Sequence, residues 1–122
     1  MKLAFVTGSN KGIGYNIVEK LAEFYGESSE WDIYLTARNV ELGLEAVKKL
    51  SGKGLDVKFH QLDITDRDSR KAFLTFVKTN YPNGINVAVN NAGIAYKVII
   101  FAVILFIRLN LRHPLGSKHE LR

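Results

Sequence analysis

The sequence predicts an α/β protein: a doubly wound parallel sheet, truncated to about four strands and three helices, with an apolar tail behind it. Short β-branched runs alternate with longer segments of helical period, turn residues mark each change of period, and 122 residues suit a single domain. A helix returning over a twisted sheet packs in one hand, so right-handed crossovers are expected. The spatial order then runs third, second, first, fourth strand. Its reversal at the first strand opens a crevice at the carboxyl ends of the strands, where ligands settle.

Leu3–Val6 is a buried-strand run that ends at Thr7-Gly8. From Gly14 to Phe24 the period becomes helical, with Ile17, Val18, Leu21, Ala22 and Phe24 as the apolar stripe and Glu19, Lys20 and Glu23 between them. The polar stretch Gly26-Glu27-Ser28-Ser29-Glu30 reads as a loop, and Ile33–Ala37 as the second strand. Leu42, Leu44, Ala46, Val47 and Leu50 give a second helix, stopped by Ser51-Gly52-Lys53-Gly54, and Val57–Leu62 gives the third strand. A third helix is expected to begin near Asp66. Thr65 can cap it, Asp66 and Asp68 suit the exposed amides of its first turn, and Ala72, Phe73, Phe76 and Val77 form its apolar stripe. Tyr81-Pro82-Asn83-Gly84 ends that helix, and Ile85–Val89 runs as a fourth strand into Asn90-Asn91-Ala92-Gly93.

Composition narrows the function classes. A content of 47% apolar, 24% charged and 11% aromatic residues fits a soluble globular protein and excludes collagen or wholesale disorder. The lack of cysteine excludes a disulfide framework and a thiolate metal site, and His60, His113 and His119 are too scattered to suggest an imidazole site, so no metal is expected. The formal charge of +5 divides unevenly: residues 1–97 carry 13 basic and 11 acidic side chains (+2), residues 98–122 four basic and one acidic (+3). No aromatic residues interleave with a basic stripe, so nucleic acid is not an expected partner. The amino-terminal stretch reaches Gly8 before a signal-peptide core could form, which makes the cytoplasm the expected location.

Gly8-Ser9-Asn10-Lys11-Gly12-Ile13-Gly14 lies between a predicted strand and a predicted helix, the context that gives a glycine pattern meaning. Gly8 permits the tight turn, Gly12 lets backbone approach a pyrophosphate, and Gly14 lets helix and strand pack closely. Unpaired amides at the helix start then face the phosphates. A dinucleotide site that prefers NAD places a carboxylate at the end of the second strand, whereas NADP(H) demands cations for its 2′-phosphate. Position 38 is arginine, and Arg38 with Lys11 supplies two.

These motifs resemble the short-chain dehydrogenase/reductase family, a Rossmann fold. Thr7 to Gly14 fits its threonine–glycine, three-residue, Gly-x-Gly pattern, and Leu35-Thr36-Ala37-Arg38-Asn39, Leu62-Asp63-Ile64 and Asn90-Asn91-Ala92-Gly93 follow in the family's order. The wording of Asn10–Gly14 and Phe59–Ile64 is most similar to the NADPH-dependent carbonyl reductases of that family. The resemblance implies hydride transfer to aldehydes or ketones, with NADP(H) as cofactor. It also implies an adenine-amino contact for Asp63, an adenine-pocket wall for Ile64, sheet and cofactor-edge support from Asn90, and close backbone approach to the ribose at Ala92 and Gly93. Helix capping is the competing role for Asp63, although Thr65 and Asp66 lie nearer the helix start.

The resemblance covers residues 1–97 and leaves 98–122 as a divergent tail. The family's proton donor is a tyrosine with a lysine four residues later. Here the residues four after Tyr15, Tyr25, Tyr34, Tyr81 and Tyr96 are Glu19, Ser29, Arg38, Ile85 and Ile100, and Ser117 lacks the context of the family's catalytic serine. No catalytic residue is therefore assigned, a carbonyl substrate is expected only for complete relatives, and the chain alone is not expected to turn over. Val98–Ile107, ten apolar residues, would reach about 15 Å as a helix, roughly half a bilayer core, so no membrane span is expected. An alternative reading makes the chain a non-enzymatic interaction or membrane-surface protein that uses this tail on a reductase scaffold. Self-association through an open sheet edge or the tail is a further expectation.

Overall fold

A computed structural model describes residues 1–26 and 28–91. Its elements run β1 (Lys2–Val6), α1 (Gly12–Tyr25), β2 (Trp31–Ala37), α2 (Val40–Gly52), β3 (Lys58–Gln61), α3 (Arg67–Asn80) and β4 (Val87–Val89). The strands are parallel and stand in the order β3-β2-β1-β4, as the alternation of elements predicts. The residues expected to form the tail, and the self-association and membrane-surface readings tied to it, lie outside the described residues.

Alternation along β1 divides the core in two. Leu3 and Phe5 join Tyr34, Leu62, Phe73 and Val77 on the α3 side of the sheet, whereas Ala4 and Val6 join Ile33, Leu35, Val18, Ala22 and Leu50 on the side of α1 and α2. Phe5 and Phe73 meet edge to face with centroids 5.0 Å apart, and each is fully buried. Burial of a side chain of that size stabilises by about 1.5–3 kcal/mol.

Helix rotation departs from the expected stripes. Phe24 is 81% exposed, because it stands two residues, about 200° of helix rotation, beyond Ala22, on the face opposite the inward-facing Gly14, Val18 and Ala22. On α2, Ala46 and Leu50 are buried as expected, but Leu42 and Leu44 are exposed and Gly43 is buried in their place, under the ring of Phe59. On α3, Ala72 is exposed and Leu74 buried. The cap of α3 is Asp66, whose carboxylate accepts the Asp68 amide at 3.0 Å; Thr65 instead donates its amide and its hydroxyl to Asp63. Asn86 precedes β4 and pairs with Leu3 twice, through its amide and its side-chain oxygen.

The amino ends of the strands carry a polar cluster. Tyr81, just after α3, donates its hydroxyl proton to Asp32 at 2.6 Å, stands 2.9 Å from the Tyr34 hydroxyl, and Lys58 lies 3.4 Å from the other Asp32 oxygen. Burial first, then the proton held toward Asp32, pushes the Tyr81 phenol far above its ordinary value. The group stays neutral and structural.

Candidate functional site

The chain reverses direction across the sheet at β1, whose neighbours are β2 on one side and β4 on the other. The segment leaving β1 there is the glycine turn. Gly8 and Gly12 adopt φ of 56° and 65°, left-handed conformations that glycine takes without a Cβ clash, and a Cβ at Gly12 would meet open space. Gly14 serves differently. A Cβ on it would stand 2.8 Å from the Gly8 oxygen and 2.9 Å from Ser9 Cα, and would collide with the Asn91 amide, so its hydrogen permits the helix to sit on the turn.

The start of α1 is open. Its cap residue, Lys11, is extended and makes no side-chain capping bond, whereas Asn39 caps α2 and Asp66 caps α3. The first turn of α1 contains no acidic residue either. Asn10 is half-buried, Lys11 and Gly12 are exposed, and Ile13 is 73% exposed. Backbone amides at this end therefore present partial positive charge to the crevice, with the exposed Lys11 as the cap residue.

Ser9 is fully buried, and its side chain turns inward. Its hydroxyl donates to the Val6 carbonyl at 2.8 Å and accepts the Thr36 amide at 3.1 Å, while the Ser9 amide donates to the Thr36 carbonyl at 2.9 Å. Thr36 donates its own hydroxyl to the Val6 carbonyl at 2.7 Å. These bonds bind the turn to the end of β2 and occupy both the amide and the hydroxyl of Ser9, so Ser9, expected among the cofactor-binding residues, shapes the turn and has no N–H left for a phosphate. Neither the buried hydroxyl pair nor its partner Thr36 is legible in the glycine pattern.

Asn91 is the second residue that the motif reading missed. Its amide donates to Thr7 Oγ1 at 3.0 Å and its side chain to the Gly8 carbonyl at 3.0 Å, which ties the end of β4 to the glycine turn. Asn90, expected in that supporting role, is exposed. Successive residues leaving a strand point to opposite sides, so the adjacent asparagine takes the inward place. Ala92 and Gly93 lie outside the described residues.

Beyond the end of β2, Arg38 is exposed. Asp63, after β3, accepts the Thr65 amide at 3.0 Å and the Thr65 hydroxyl at 2.7 Å on one carboxylate oxygen. The Thr65 hydroxyl bond first, then the Thr65 amide and the charges of Arg38 and Arg70, hold the Asp63 carboxyl below its ordinary value of 3.8. Capping of α3 falls to Asp66, so Asp63 is not committed to that role. Ile64 is 7% exposed, with its carbonyl accepting from Arg70 at 2.9 Å. Glycine turn, Arg38 and Asp63 thus follow the carboxyl ends of β1, β2 and β3 in turn. Among the described residues no cluster could hold a metal ion, and no helix is long and apolar enough to cross a membrane.

Known proteins share this arrangement. The short chain dehydrogenase family model matches residues 2–105. Carbonyl reductase (NADPH) 1 of Rattus norvegicus is 50% identical over 98 residues, 80% of this chain and 33% of that protein. The chain thus spans about a third of the length of the curated relatives it matches. L-Sorbose reductase from Gluconobacter frateurii, solved with NADPH and L-sorbose, superposes with a TM-score of 0.63 at 29% identity, covering 90% of this chain and 44% of that one. A hydroxysteroid dehydrogenase from Escherichia coli gives a TM-score of 0.72 over 94% of this chain and 54% of its own; at 20% identity it speaks for the fold alone. Matched along most of its length by the family model, and carrying the family's turn at the reversal point of the family's sheet, the chain belongs to the short-chain dehydrogenases.

Proposed function

We propose that this chain supplies the NADP(H)-binding part of a carbonyl reductase-like oxidoreductase. The observation that carries the reading is the open amino end of α1, which sits in a glycine turn at the sheet's reversal point with Lys11 beside it. Clear space at the Cβ position of Gly12 suits close approach of a pyrophosphate. Gly8, Asn10, Gly12, Ile13 and Gly14 would hold the pyrophosphate through backbone, with Ser9 fixing the turn from within, and Lys11 and Arg38 would neutralise the 2′-phosphate. Asp63, kept ionised, would accept from the adenine amino group beside Ile64. Asn90, Ala92 and Gly93 would border the ribose by family resemblance, with Asn91 holding the turn beneath them.

Once bound, the dinucleotide would supply, in a complete enzyme, the hydride for the carbonyl carbon of an aldehyde or ketone. None of the 122 residues forms the family's tyrosine–lysine pair, so we assign nucleotide binding to this chain and no turnover of its own. Residues 1–97 form the nucleotide-binding region in this reading, and residues 98–122 a separate tail. A cytoplasmic location accords with the cysteine-free sequence. Among the described residues β4 pairs only with β1, and its other edge offers a route to self-association that light scattering would detect.

A thermal-shift titration with NADPH and NADH at matched salt tests the reading. Saturation to 100 times Kd adds about 2.7 kcal/mol, a rise of roughly 10 °C or more for a domain of this size. A larger rise with NADPH than with NADH, abolished by Arg38→Asp, is expected. Equal shifts, or none with either nucleotide, overturn it.

A further inference from the structure

Arg38 and Asp63 are joined by an unbroken path of hydrogen bonds through the side chains of Gln61 and Ser69, neither of which the motifs assign a role. The Gln61 side-chain amide donates to the Arg38 carbonyl at 3.2 Å, the Ser69 hydroxyl donates to Gln61 Oε1 at 2.8 Å, and the Asp63 amide donates to Ser69 Oγ at 2.8 Å. The polarity of this path is forced. A carbonyl at one end can only accept and an amide N–H at the other can only donate, so the serine must accept from Asp63 and give its single proton to Gln61. That leaves the Gln61 nitrogen for Arg38.

The path begins where the sheet stops. The pairing of β2 with β3 ends at Ala37 and Gln61, and the last backbone bond between the two segments is from the Leu62 amide to the Ala37 carbonyl at 2.9 Å. Past it, the segments carrying Arg38 and Asp63 no longer share a ladder. Arg38 has an exposed side chain, so its backbone is what fixes the root of the guanidinium. Ser69 is 7% exposed and anchored in α3, and the Asp63 carboxylate is itself held by Thr65.

We propose that Gln61 and Ser69 are positioning residues that fix the spacing of Arg38 and Asp63, and through it the preference for a dinucleotide bearing a 2′-phosphate. The proposal rests on the NADP(H) reading above. A cation discriminates a phosphate from a hydroxyl only where its reach is defined, and the relay defines the backbone from which Arg38 reaches.

The test is the ratio of the NADH to NADPH dissociation constants for the 122-residue chain, from direct titration at matched salt, alongside melting temperature. Gln61→Met keeps the length of the side chain and removes both polar ends; it lowers the ratio about fivefold, the worth of one ordinary hydrogen bond. Ser69→Ala lowers it similarly, and Ser69→Thr, which keeps the hydroxyl, restores it. In an Arg38→Ala background Gln61→Met has no further effect on the ratio. Should Ser69→Ala fail to fold, Gln61→Met and its comparison in the Arg38→Ala background decide alone, because they add no charge beside the 2′-phosphate. A lowered melting temperature with an unchanged ratio marks a merely structural role and overturns the proposal. So does an equal effect in the Arg38→Ala background. A wild-type chain that binds neither nucleotide removes the underlying reading instead, and the proposal with it.

Discussion

The two ends of the sheet use similar polar residues to opposite purposes. At the amino ends, Tyr81, Tyr34, Asp32 and Lys58 bond to one another, so charge and hydroxyl groups are satisfied within the cluster. At the carboxyl ends, Ser9, Thr36, Gln61, Ser69 and Asn91 bond mainly to backbone, and Lys11 and Arg38 remain exposed. Side chains bonded to each other stabilise a surface. Side chains bonded to backbone hold loops in shape and leave charges available to a ligand.

Breaking the carboxyl end at its tightest point has the largest expected effect. Gly14→Val drives side-chain carbons into the Gly8 carbonyl and Ser9 Cα, so the turn must move. Overpacking of about 1–3 kcal/mol corresponds to NADPH binding weakened by roughly 5- to 150-fold, measured by titration below the melting temperature. Retained affinity would separate the turn from the ligand.

The amino end should respond in the other currency. Tyr81→Phe removes the proton held by Asp32 and leaves that carboxylate short of a donor. A stability loss of about 1–2 kcal/mol is expected from chemical denaturation, with the ratio of NADH to NADPH affinity unchanged. A changed ratio would mean that the two ends are coupled.

A smaller effect is expected at Asp63, and it depends on pH. Its native pKa is depressed, chiefly by Thr65, so its ionised form contributes stability above the ordinary value of 3.8. That contribution is lost as pH falls from 3.8 through the depressed native value. Asp63→Asn should therefore melt below the wild type near neutral pH and converge with it on the acid side. A gap that persists unchanged to the acid limit would assign the difference to packing.

Much of the fold is legible in the sequence because period and turn chemistry are local. Leu3–Val6, Ile33–Ala37 and the glycine turn announce themselves within a few residues. Helix rotation is less legible. Phe24, Leu42 and Leu44 have the right hydrophobicity for a core stripe, yet small residues set how α1 and α2 approach the sheet, and Gly43, which no hydrophobic pattern marks, lies inward. The candidate site divides the same way. Arg38, Asp63 and the glycines stand at strand ends and can be picked out by type, whereas Thr36, Gln61, Ser69 and Asn91 act through hydrogen bonds without any sequence period. Asn90 and Asn91 are identical in type, and only the direction each takes on leaving β4 distinguishes them.

The bonds from Asn91 also bear on the order in which the molecule assembles. They span 83 and 84 residues, joining the first turn of the chain to the end of its fourth strand. Loops of that length close late, after the local helices and neighbouring pairings have formed. The glycine turn therefore receives its last two restraints only when β4 has docked. During refolding, nucleotide capture is expected to lag behind the recovery of helical signal, and NADPH added at the start should slow unfolding far more than it speeds folding.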